Sequence, residues 1–168
     1  PNALFFAGDL GQRIFQTPFS WKSLGVDIRG RAQTLRINYR TSHQIRRHAD
    51  RLLGSQVSDV DGNTEDRRGT VSVFNGPEPA IRVVETAEAE AGQVAAWIAA
   101  RIGEGVAPHE IGIFVRSDRQ LPRARSAASQ AGLPVQMLDQ RMETATGSLA
   151  MGTMHLAKGL EFRAVVVM

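Results

Sequence analysis

Ile111-Gly112-Ile113-Phe114-Val115-Arg116-Ser117-Asp118 is an apolar run that stops abruptly on polar residues. A continuous apolar stretch of this length, rich in β-branched and aromatic side chains, is the composition of a strand buried on both faces. A helix is predicted over about 119–131, ended by Gly132, and 135–138 reads as the next strand. Strand, helix and strand joined by short connections predict a parallel or mostly parallel sheet flanked by helices, an α/β fold.

The same pattern extends outward. Upstream, Ala91, Val94, Ala95, Ile98 and Ile102 recur at helical spacing and predict a helix over 87–103. Strands are predicted over 70–74 and 81–85, separated by the turn-forming Asn75-Gly76-Pro77-Glu78-Pro79. The polar stretch 55–69 reads as a mobile loop and as the best candidate for disorder. Thr41 or Ser42 can cap a helix that runs to Leu53, with Ile45, Ala49, Leu52 and Leu53 on one face and Gly54 ending it. Before it, 34–37 alternates like a strand, 16–33 reads as a loop with a helical turn near Trp21, and 4–7 is a short buried strand. Downstream, 139–147 is a polar connection and 149–154 and 164–168 are the last two strands.

With 168 residues and 42% hydrophobic content the chain can bury one core, with the edge of a second domain attached. The formal charge is +3, and Lys22 and Lys158 are the lysines among otherwise arginine cations. Arginine reads phosphates bidentately and favours an anionic partner, although such a bias also follows from genome composition. The absence of cysteine excludes disulfides and thiolate metal sites and fits a cytoplasmic location. No apolar run reaches membrane-spanning length, so no membrane partner is expected. Because 164–168 is a buried-strand pattern that stops without a cap, the chain reads as a piece of a longer protein.

Three blocks carry candidate chemistry. Gly8-Asp9-Leu10-Gly11-Gln12-Arg13-Ile14-Phe15 places a carboxylate and an amide after a strand, where they can hold a cation's water shell and sense a phosphate. The same residues also compose an ordinary turn. Asn38-Tyr39-Arg40 precedes a capped helix and reads either as a cationic strand end or as a surface Arg beside a half-buried Tyr. Thr153-Met154-His155-Leu156-Ala157-Lys158-Gly159-Leu160-Glu161-Phe162 follows a strand, and its Gly159 allows close backbone approach. With no second His or Cys at ligand spacing, a metal site is not expected.

In this order the blocks resemble motifs III, IV and V of the UvrD/Rep group of superfamily 1 DNA helicases. The resemblance implies the second, RecA-like motor domain of a phosphate-loop helicase: 1–33 would be the end of the first motor domain and linker, and 34–168 an incomplete second one. It implies nucleotide contacts from Asp9, Gln12, Tyr39, Arg40, Lys158, Gly159 and Glu161, with Gln12 coupling γ-phosphate state to DNA and Arg40 acting as an arginine finger. Tyr39 would pack on the nucleotide base and Glu161 would bond the ribose. Single-stranded DNA contacts would come from Phe15, Trp21, Arg116, Ser117, Thr153 and His155, the first two by stacking. Phe19 reads equally well as core.

The resemblance also has gaps. No Gly-x-x-x-x-Gly-Lys-Ser/Thr phosphate loop occurs, so the chain by itself is not expected to hydrolyse ATP or to hold it tightly. ATP with Mg²⁺ would be the cofactor of the parent enzyme, with the rest of that polypeptide as partner. Residues 139–147 stand where the family inserts a large accessory domain, and Leu10-Gly11 replaces a more polar pair. The expected function is a share in an ATP-dependent DNA helicase or translocase. The alternatives are a non-catalytic nucleic-acid-binding module on the same fold and a nucleotide-binding domain with no DNA role.

Overall fold

The computed structural model describes Phe5, Ala7, Gly8, Arg31 and residues 20–28, 33–139 and 145–168. Asp9, Gln12, Phe15 and Phe19 lie outside the described residues, and the expected strand over 4–7 is described only at Phe5 and Ala7. The chain divides into two compact units, Pro1–Ile81 and Arg82–Met168.

The first unit begins with a 3-10 turn over Lys22–Leu24, as the sequence predicts, closed by Gly25 at φ 76°. Strand β1 (Ile37–Asn38) leads into helix α1 (His43–Leu53). Ser42 caps α1, its Oγ accepting from the Ile45 N–H, and Gly54 follows at φ 70°. Strands β2 (Gln56–Ser58) and β3 (Thr64–Asp66) form an antiparallel hairpin, and β4 (Val71–Ser72) pairs parallel to β1.

Two expectations fail here for physical reasons. The stretch 55–69 forms a hairpin, because Asp59 supplies the hydrogen bonds that its few apolar side chains cannot replace. Asp59 Oδ1 accepts from the N–H groups of Asp61 and Asn63 at 2.9 and 2.8 Å, and Oδ2 from the Asn63 amide at 2.7 Å. The expected apolar face of α1 points outward: Ile45 is 51% and Leu52 89% exposed. The face turned inward is polar, because Arg46 bonds Asp50 at 2.7 Å and the Ser72 hydroxyl at 3.1 Å, while Arg67 bonds Asp50 at 3.2 Å.

The expected strands over 34–37 and 70–74 shrink to two paired residues each, and 81–85 forms no strand. Without strand pairing to cover them, Ile81 and Val83 remain exposed.

In the second unit, helix α2 (Ala87–Gly103) has the predicted bounds, with Thr86 Oγ1 accepting from the Ala89 N–H and Glu88 and Glu90 in its positively polarised first turn. Strand β5 (Ile111–Val115) is buried throughout. A 3-10 turn over Asp118–Gln120 precedes helix α3 (Leu121–Gln130). Strands β6 (Val135–Met137), β7 (Leu149–Thr153) and β8 (Ala164–Val167) complete a four-stranded sheet of order β6-β7-β5-β8, parallel at every pairing. The α/β class with a parallel sheet read from the sequence is therefore present in this unit.

Both helices pack on one face of this sheet. Ala91, Val94 and Ile98 of α2 and Ala124, Ala127 and Ala128 of α3 meet Ile111, Ile113, Val115, Leu149 and Met151. The alanines let the helices approach closely, and the longer strand side chains fill the space between. Among the described residues, no helix is long and apolar enough to cross a membrane.

Two measurements check this account. Ile98→Ala, which empties a fully buried position, is expected to lower unfolding free energy in urea by about 2–5 kcal/mol, whereas Leu52→Ala stays within about 0.5 kcal/mol. The Arg68 guanidinium, hydrogen-bonded to Asp66, together with the Arg68 backbone N–H, holds the Asp66 carboxyl down at about 2 from an ordinary 3.8. A depressed carboxyl stabilises the fold above its ordinary value and loses that contribution as pH falls through about 2. In a carboxyl NMR titration, Arg68→Ala should move the Asp66 midpoint up toward 3.8; an unmoved midpoint would refute the pairing.

Candidate functional site

The carboxyl edge of the parallel sheet gathers most of the candidate residues of the second unit. Val115, the last residue of β5, is paired with Thr153, the last of β7. The next residues of the two strands therefore leave the sheet side by side. Arg116 and Ser117 are exposed, and both their N–H groups donate to Gln120 Oε1, at 3.1 and 3.3 Å. This ties the strand end to the 3-10 turn without using either side chain. In open parallel sheets ligands bind outside this carboxyl edge.

Thr153 itself is 3% exposed. Its Oγ1 lies 2.9 Å from His155 Nδ1 and shares a hydrogen bond with it, while the imidazole is exposed. Thr153 is thus placed to orient His155 more than to meet a ligand directly.

The chain beyond Thr153 turns through a 3-10 segment, Met154–Ala157, and then through Gly159 at φ 89°, a left-handed conformation that a side chain would strain. Leu156, Ala157, Leu160 and Phe162 pack on Phe114, Leu138 and Ala150, on the face of the sheet opposite the helices. The Phe114 and Phe162 rings meet edge to face, with centroids 5.5 Å apart. Glycine makes room for this contact: a Cβ on Gly112 would lie 2.6 Å from the Phe114 ring and 3.1 Å from that of Phe162. A Cβ on Gly152 would lie 3.2 Å from that of Leu138.

Between these anchors, His155, Lys158, Gly159 and Glu161 are exposed. Apolar residues fasten the segment to the sheet, and the polar ones between them face solvent. The supporting residues Gly112, Leu138, Gly152, Leu156 and Leu160 were not singled out by the sequence reading. The apolar positions 156, 157, 160 and 162, interleaved with polar ones, were the available signal.

In the first unit, Tyr39 and Arg40 follow β1 and are exposed, Tyr39 to 72%. Asn38 Oδ1 accepts from the N–H groups of Arg40 and Thr41 at 2.9 and 3.0 Å, an Asx turn that lifts the two side chains off the strand just before the Ser42 cap. Trp21 is half-buried at the head of the 3-10 turn. Asp61 holds that turn through the Ser20 hydroxyl and the Lys22 N–H. The structure thus brings Tyr39 and Arg40 together in one unit, and in the other it sets Arg116, Ser117, Thr153 and His155 at the carboxyl end of the sheet, with Lys158, Gly159 and Glu161 on the segment that runs back across it toward β8. Among the described residues, no group of three or more His, Cys, Asp or Glu side chains converges as metal ligands would.

Gly112→Ala is expected to cost about 1–3 kcal/mol by overpacking and to speed amide hydrogen exchange in 154–162 more than in α2. Equal protection of that segment in both proteins would show that it does not rest on the Phe114 face. Comparison of the chain with protein-family models, curated proteins and solved structures finds no match.

Proposed function

We propose that this chain is part of an ATP-dependent DNA helicase or translocase of the UvrD/Rep kind, whose second unit belongs to a RecA-like motor domain. The observation that carries the reading is the register of β5 and β7: it pairs Val115 with Thr153, so that Arg116, Ser117 and the segment carrying His155 leave the same edge of the sheet, where α/β proteins bind ligands. On this reading Arg116, Ser117 and His155 contact the backbone of single-stranded DNA, with Thr153 orienting the imidazole. Arginine and hydroxyl contacts of this kind position a strand without reading its sequence, as a translocating motor requires.

The first unit would contribute to nucleotide binding. Exposed Tyr39 offers a flat face for a base, and Arg40, raised by the Asn38 turn, is accessible to a phosphate. These features fit ATP at this position. The bound nucleotide would supply the free energy of phosphoanhydride hydrolysis, and the Arg40 guanidinium would stabilise negative charge on the transferred phosphoryl group. In the second unit, the motif V resemblance makes Lys158, Gly159 and Glu161 candidate nucleotide contacts, with Gly159 giving close backbone access. Mg²⁺ would be held by residues other than those described.

In the parent enzyme, Arg40→Ala is expected to reduce ATP turnover by about 10³-fold or more with little change in DNA affinity; undiminished turnover would sink the finger assignment. With the chain itself, Arg116→Ala is expected to weaken binding of single-stranded oligonucleotides of any sequence and to reduce the slope of log affinity against log salt by about 0.7. Unchanged affinity and slope would remove the sheet edge from the DNA path.

A further inference from the structure

The first unit contains a groove that none of the three motif blocks uses. It is an open groove of about 500 Å³ between α1, from Arg46 onward, and the exit of the β2–β3 hairpin, and it is lined chiefly by Arg46, Arg47, Arg51, Arg67, Arg68 and Asp50. A backbone hydrogen bond from the Arg67 N–H to the Ser55 carbonyl, 3.0 Å, joins its two walls. It runs along α1 from Arg46 to Gly54, whereas Tyr39 and Arg40 precede the helix.

Positive charge outweighs negative in this groove. Five arginines face one lining carboxylate, and counting the two carboxylates behind the wall, Asp66 against Arg68 and Glu78 against Arg47, still leaves a cationic surplus. The carboxylates also fix the array. Asp50 bonds both Arg46 and Arg67, and Asp66 holds Arg68 through Nε and Nη2. A guanidinium has five N–H donors, so each of these arginines keeps donors beyond those given to its carboxylate. Arg51, at the helix end, makes no ion pair among the described residues and is exposed.

We propose that this groove binds the phosphodiester backbone of nucleic acid. Its volume lies within the usual range of ligand pockets, about 300–1,000 Å³, which is more room than a single phosphate fills. Arginine forks suit phosphate oxygens. The lining contains no aromatic side chain to serve as a stacking platform, which favours contact with the backbone over reading of the bases. The groove is a second contact, separate from the sheet edge of the other unit, and does not depend on the helicase reading.

The test is fluorescence anisotropy of labelled single-stranded oligonucleotides of unrelated sequences with the 168-residue chain, over a range of salt. Arg51→Ala is expected to weaken all of them several-fold and to lower the salt slope by about 0.7. Arg51→Lys should recover the slope but only part of the affinity, since it keeps charge and loses the fork. The double variant Arg51→Glu with Arg68→Glu should bind weakest, with an unchanged far-UV circular dichroism spectrum. Unaltered affinity and slope in both Arg51→Ala and the double variant would overturn the proposal. So would inorganic pyrophosphate that perturbs the Arg51 and Arg68 side-chain NMR signals without being displaced by oligonucleotide, which would make the groove a site for small phosphates instead. Arg116→Ala, measured alongside, separates the two readings: loss there with none in Arg51→Ala or the double variant overturns the groove alone, and the reverse overturns the sheet edge alone.

Discussion

Burial of β5 on both faces is the constraint on which the second unit depends. A strand paired on each side, to β7 and to β8, has its hydrogen bonds satisfied within the sheet and can be apolar throughout. Its two faces are covered by different means. On one side Ile111, Ile113 and Val115 meet two alanine-rich helices, and on the other Gly112 and Phe114 meet an irregular segment whose aromatic ring seats against Phe114. The glycine is what makes the second covering possible, because a helix was not needed to cover a face left that flat.

The parts of the fold legible in the sequence are those where local preference and burial agree. Helix α2 has a Thr cap, early glutamates and a buried apolar stripe, and its bounds match the prediction. Strand β5 announces itself by composition. Helix α1 was legible in its bounds, set by Ser42 and Gly54, but not in its orientation. Its apolar residues suggested an inward face, yet Asp50 and Ser72 hold Arg46, and Arg67 holds Asp50, which fixes the opposite face. The β2–β3 hairpin was illegible by hydrophobic pattern because its turn is organised by the side chain of Asp59. Pairings between distant segments, and side-chain hydrogen bonds at long range, leave no periodic trace in a sequence.

For the candidate site the sequence pointed to the polar residues and passed over what holds them. His155, Lys158, Gly159 and Glu161 stood out as chemistry, and they are exposed. Thr153 stood out for the same reason but is buried and bonded to His155, a distinction that depends on its being the last residue of a central strand. That Arg116 and the segment carrying His155 leave the sheet from paired strand ends is a fact of register, available only once β5 and β7 are paired. In the first unit, the polar side of α1 and the hairpin exit combine arginines from separate stretches of sequence into one groove.

The segment after Thr153 has a further consequence. It joins β7 to β8, two parallel strands that lie on either side of β5, so it must cross β5 from the carboxyl edge back toward the amino edge. A parallel crossover is usually a dozen or more residues with a helix, and here residues 154–163 suffice because apolar side chains pin the path to the sheet. Both ends are anchored in strands and the middle is fastened by Leu156, Leu160 and Phe162, so little conformational freedom remains for a ligand to remove. The backbone that carries His155, Lys158 and Glu161 is thus preorganised, and anything that bound there would spend little of its affinity on ordering the chain.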